Sequence, residues 1–109
     1  MTLNELVKEA FETATSKGWH TEERSFGELI ALCHSELSEA LEEFRNGYDT
    51  NVGYHSEGGK PEGIPSELAD VVIRIADMCG QYGIDLDKAV TEKMEFNKTR
   101  TRKHGNKVI

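Results

Sequence analysis

The stretch from Ser66 to Gln81 constrains this chain more than any other. Leu68, Val71, Val72, Ile73, Ile75, Ala76, Met78 and Cys79 make a helix that is apolar around most of its circumference. Such a helix is central in its fold, because no single neighbour covers it. Its remaining stripe is Glu67, Asp70, Arg74, Asp77 and Gln81. On a central helix that stripe either faces a narrow strip of solvent or lines an internal polar cleft.

Three more helices surround it in the sequence. The first is expected from about Leu3 to Ser16, with Thr2 and Glu5 at capping-box spacing and an apolar stripe of Leu3, Leu6, Val7, Ala10, Phe11 and Ala14. Gly18 ends it. Ser25 and Glu28 repeat the capping pattern and open a second helix that runs to Asn46-Gly47. The central helix begins around Pro65-Ser66, where proline suits the first turn, and stops at Gly83. Asp85 is a good N-cap for the last, which extends to roughly Arg100. No β-alternation and no internal repeat stand out. The expected fold is all-α: a four-helix, bundle-like single domain over 1–109. A Gly-rich polar loop at 48–63 reads as a flexible lid or connector, and 101–109 as a basic tail.

With 109 residues the chain holds one domain, and so short a layer of helices is helped by a partner subunit. Its net charge of −7 is a poor match to nucleic acid or to a membrane surface. The charge is uneven: residues 1–97 carry 8 Lys and Arg against 20 acids, and residues 98–109 carry 5 bases and no acid. An acidic body with a basic tail suits metal and phosphate, and a solvated acidic surface explains the count equally well. Cys33 and Cys79 sit within apolar patterns and read as buried, reduced residues. The N-terminus lacks a signal-peptide pattern and no apolar run is long enough to cross a bilayer, so a cytoplasmic protein is expected.

Two acid pairs carry the chemistry. Glu36 and Glu39 lie on the second helix, Glu67 and Asp70 on the central one, and acids three apart share a helix side. At about 100° per residue, Ile30, Cys33, Leu37, Leu41 and Phe44 mark the main core face of the second helix. Glu36, Glu39 and Glu43 fall on its shoulder, and Glu42 points to water. Brought together on antiparallel helices, the four carboxylates suit Mg²⁺, with Mn²⁺ as a substitute. Spacing alone leaves a second reading open, an interhelical network in which Arg74 and Lys93 neutralise the acids.

The pattern Glu36-x-x-Glu39, a long interval, then Glu67-x-x-Asp70-Val71-Val72 resembles the signature of MazG-like nucleotide pyrophosphohydrolases. That all-α superfamily also includes dimeric dUTPases and phosphoribosyl-ATP pyrophosphatases. The resemblance runs from the Lys17-Gly18-Trp19 turn to Lys93, Asn97 and Arg100. It implies that Glu36, Glu39, Glu67 and Asp70 bind magnesium and that a nucleoside triphosphate is split into monophosphate and pyrophosphate. It also implies a homodimer or homotetramer. Glu39, and beside it Glu36, are then the candidate catalytic carboxylates, Glu39 as acceptor of the water's proton.

Lys93, Asn97 and Arg100 share the stripe of Leu86, Ala89 and Val90 on the last helix, which is expected to face inward. They are candidate phosphate contacts, with helix capping or snorkelling as the alternative. Trp19 either stacks on a base or plugs the core. His34 reads as exposed; His20, Tyr48, Tyr54 and His55 border loops and cannot be ranked. Three functions follow: a housecleaning hydrolase of dNTPs, a pyrophosphatase confined to one nucleotide such as dUTP, or a non-catalytic helical dimer that binds nucleotide or protein.

Overall fold

The computed structural model describes residues 1–100; the basic tail expected at 101–109 lies outside them. Four helices hold most of the chain: α1 (Leu3–Ser16), α2 (Phe26–Arg45), α3 (Ile64–Tyr82) and α4 (Leu86–Thr99). Both capping boxes form. The Glu5 amide donates to Thr2 Oγ1 at 3.0 Å, and the Glu28 amide to Ser25 Oγ at 3.1 Å. The glutamate side chains bond back to the cap amides at 2.9 and 3.2 Å. Asp85 caps α4 through the Lys88 amide, and α3 ends at Gly83 in the left-handed conformation, φ 65°. Among the described residues no helix is long and apolar enough to cross a membrane.

The segment between α2 and α3 differs from expectation. It folds as a short antiparallel hairpin, β1 (Gly53–His55) with β2 (Pro61–Gly63), in which Tyr54 faces Glu62. Three-residue strands are too brief to show alternation, which is why the sequence pattern does not reveal them. The hairpin is anchored. Tyr54 stacks on Tyr48 with ring centroids 5.0 Å apart, and its hydroxyl donates to Glu43 Oε1 at 2.9 Å. Gly63 joins β2 to α3 at φ 103°, where a Cβ would sit 2.8 Å from the Val52 carbonyl oxygen.

α3 is the centre, flanked by α1 and α2. The buried apolar residues are few and mostly small: Ala14, Ala40, Ile64, Ala76, Met78 and Cys79. Small residues let the helices approach closely. At Gly80 the approach is closest, since a Cβ there would lie 2.7 Å from Phe11 Cβ on α1. Gly80→Ala should therefore lower the melting temperature, even though alanine favours a helix by about 1 kcal/mol, because overpacking costs about 1–3 kcal/mol. Gly27→Ala, with nothing nearer than Ser25 Oγ at 3.8 Å, should not. A Gly80→Ala protein as stable as wild type would show that α1 yields freely.

α4 corrects a second expectation. Its start is tied to the start of α1: the Asp87 carboxylate accepts from the Leu3 and Asn4 amides at 3.2 and 3.1 Å, and Asn4 Nδ2 donates to Asp85 Oδ1 at 2.9 Å. Beyond that anchor α4 buries no residue, so it has no inward stripe within the protomer. The radius of gyration, 16.5 Å, exceeds the roughly 13 Å of a compact domain this long.

The face of α2 is also reversed. Leu37, Leu41 and Phe44 are 51%, 57% and 58% exposed, whereas Glu36 is half-buried and Ala40 buried on the side toward α3. Helical periodicity ranks faces by hydrophobicity; it does not tell which one the same protomer covers.

Candidate functional site

Antiparallel packing of α2 on α3 brings the acid pairs together. One carboxylate oxygen each from Glu36, Glu67 and Asp70 lies within 4.8 Å of the others. Glu39, one turn along α2, stands outside this trio with its carboxyl against that of Glu67. Three of the four expected ligands thus converge, and the fourth is adjacent.

The electrostatics are those of anions short of positive charge. Burial pushes the Glu67 carboxyl up to about 7, helped by a proton shared with Glu39 and by repulsion from Glu39, Asp70 and Glu36. Burial likewise raises Asp70, with Glu36 adding repulsion that Lys60 and Arg74 offset. Glu67 Oε2 is closed off from solvent and has no hydrogen-bond partner. An orphaned buried carboxylate oxygen is costly. A cation with oxygen preference would satisfy it, and an all-carboxylate donor set fits Mg²⁺ or Mn²⁺.

The interhelical network foreseen as the alternative is partly present. Arg74 Nε donates to Glu36 Oε1 at 2.9 Å, on a carboxylate that is only 17% exposed. Lys93 takes no part; it is exposed on α4, as are Asn97 and Arg100, and none of the three lines the cleft. Arg100 instead lies over the Phe96 ring at 5.7 Å. The cations near the acids come from elsewhere. Lys60 reaches in from the hairpin, 3.4 Å from Glu62, and Arg24 joins Arg74 among the residues of the cleft. Lys60 is the sole Lys or Arg in 48–63, a signal that the sequence held and that loop composition obscured.

The cleft is a cavity of about 750 Å³ that opens from Glu36 and Asp70 toward the turn after α1. Trp19 lines it and is 60% exposed, so it does not plug the core. His20 follows, its ring 5.2 Å from Phe11 and its Nε2 2.9 Å from Asp77 Oδ1. His34 is exposed, as expected, and so are Tyr48 and His55, whereas Tyr54 is half-buried. Cys33 and Cys79 are free thiols, both raised by burial.

Comparison of the chain with models of protein families, with curated proteins and with solved structures returns no match in any of the three. A functional reading therefore rests on the chemistry of this cleft and on the acid motif.

Proposed function

We propose that the chain is a Mg²⁺-dependent nucleoside triphosphate pyrophosphohydrolase of the MazG-like kind, acting on dNTPs in housecleaning of the nucleotide pool. The observation that carries this reading is the convergence of Glu36, Glu67 and Asp70, with one orphaned oxygen on Glu67, beside a cavity of about 750 Å³ that Glu36 and Asp70 line. That volume lies within the range of small-molecule sites.

Glu36, Glu67 and Asp70, with Glu39 beside them, would hold the metal, whose charge neutralises phosphate oxygens and makes a nearby water a better nucleophile. The chain's own groups supply the rest. Glu39 stands outside the trio with its carboxyl against Glu67, so it would accept the water's proton once the proton that the two share is lost. Arg24 and Arg74 present guanidinium groups to phosphate oxygens. Trp19 offers an exposed ring for a base. Hydrolysis adds water across the α–β anhydride: the monophosphate keeps one new oxygen and pyrophosphate leaves. The exposed apolar residues of α2 and α3 are read as a contact with a second copy.

A panel of NTPs and dNTPs with Mg²⁺, analysed for products, tests the proposal. Monophosphate and pyrophosphate are expected. Diphosphate and orthophosphate would reject the α–β assignment, and hydrolysis of dUTP alone would select the single-nucleotide reading. A second class of function, non-catalytic binding, is favoured by the Arg74–Glu36 ion pair, which neutralises an acid without metal. Nucleotide binding without turnover of any member of the panel would establish it.

A further inference from the structure

The stripe of α3 does not end at the acids. It continues through Arg74 to Asp77 and Gln81, and seven residues at 1.5 Å each put Asp77 about 10 Å along the helix from Asp70. Asp77 and Gln81 both line the same cavity, as does Trp19. If phosphates lie at the acids, a base reaches this end. The inference below rests on the nucleotide reading of the cleft.

Asp77 is held in place on two sides. His20 Nε2 lies 2.9 and 3.1 Å from its two oxygens, and Gln81 Nε2 donates to Oδ2 at 3.1 Å. His20 is itself oriented by Thr15, whose Oγ1 is 3.3 Å from Nδ1. An ionised carboxylate only accepts hydrogen bonds, so Nε2 donates to Asp77, while Nδ1 faces the Thr15 hydroxyl, which can donate or accept. Both nitrogens of His20 are then committed, and one proton of the Gln81 amide is committed too. What Asp77 itself retains for a ligand is acceptor capacity, the remaining lone pairs of its carboxylate, to which the Gln81 carbonyl adds. Asp77 and His20 side chains are only 21% and 23% exposed, so water competes weakly there.

We propose that Asp77, positioned by His20 and Gln81, makes this end of the cleft a subsite for bases that present an exocyclic amine, and that it disfavours uracil and thymine. Adenine, cytosine and guanine each offer an N–H₂ edge to a carboxylate. Uracil and thymine offer one N–H flanked by two carbonyl oxygens, which the Asp77 anion repels. Trp19 stacks on any base, so selection lies with the hydrogen-bond polarity at Asp77.

Calorimetry with non-hydrolysable α,β-methylene analogues in Mg²⁺ separates the possibilities without relying on turnover. Wild type should bind the dCTP and dATP analogues about tenfold or more tighter than those of dUTP and dTTP. Dimethylation of the cytosine amine removes both donors and should abolish the advantage. Asp77→Asn places a donor where only acceptors stood, and it should shrink or invert the ratio. Equal affinities, a preference for uracil or thymine, or a wild-type-like ratio in Asp77→Asn would overturn the subsite while leaving the nucleotide reading standing. The wild-type and dimethyl-cytosine measurements decide the matter even where the variant fails to fold. Failure of every analogue to bind would sink the nucleotide reading, and this inference with it.

Discussion

Replacing Glu36, Glu67 or Asp70 singly with its amide is expected to lower Mg²⁺-dependent turnover by at least about 100-fold, since loss of even a group that supports a ligand costs 10- to 100-fold. Glu39→Gln should fall similarly, by loss of the proton acceptor. Without metal the same changes should not unfold the protein, and Glu67→Gln should stabilise it. The reason is the burial, reinforced by the hydrogen bond with Glu39 and repulsion from the neighbouring acids, that pushes Glu67 up to about 7. A carboxyl that holds its proton more tightly when folded makes the folded state the stronger proton binder. Metal-free stability therefore declines as pH rises from the ordinary value of 4.5 toward about 7, and levels off above. Mg²⁺ takes the ionised form, so its binding strengthens over the same interval and its stabilising effect is greatest at the alkaline end. Thermal melts across pH, with and without Mg²⁺, read both trends. A Mg²⁺-induced rise in melting temperature that survives in Glu67→Gln/Asp70→Asn would remove these residues from the metal site.

Local chemistry made the helices legible in the sequence. Thr2, Ser25 and Asp85 act on amides three residues away, and Gly83 acts on its own φ, so each terminus is announced by a neighbour in the chain. The acid trio was legible because spacing within α2 and α3 sets each side, and a short-range pairing of two helices does the rest. Long-range features were not. Arg74 was foreseen as a partner of the acids, but its choice of Glu36, 38 residues away, was not, nor was the His20–Asp77 contact between residues 57 apart. No local pattern encodes which cation finds which anion. Lys93, Asn97 and Arg100 were misplaced for a related reason. An apolar stripe on α4 signals that something covers it, and among the described residues the protomer itself does not. The second copy of the chain proposed above would supply that cover.

The strongest expected effect on assembly follows from α2. Leu37, Leu41 and Phe44 recur at intervals of four and three, which keeps them on one face, and each is more than half exposed. Leu68 and Val72 of α3 are 45% and 49% exposed, and a shallow groove of about 640 Å³ runs between Leu37, Leu41, Phe44 and Ile64. Contiguous apolar exposure of this kind is what the proposed contact with a second copy would cover. In a twofold pair such a patch meets its own copy, so one substitution enters the interface twice. Leu41→Asp combined with Phe44→Asp would bury four unpaired carboxylates per pair. Each is costly to desolvate, and every 1.4 kcal/mol is a factor of about ten, so the dissociation constant should rise by well over about 100-fold. Sedimentation at low micromolar concentration should show an oligomer for wild type and a monomer for the double variant. Glu42→Lys, next to Leu41 in sequence but about 100° round the helix from it, should leave the oligomer intact. The monomer should also melt earlier, because α3 would keep Leu68 and Val72 in water and the small buried core of alanines, Ile64, Met78 and Cys79 would stand alone. A wild-type protein that sediments as a well-folded monomer would show that this face is left for a different partner.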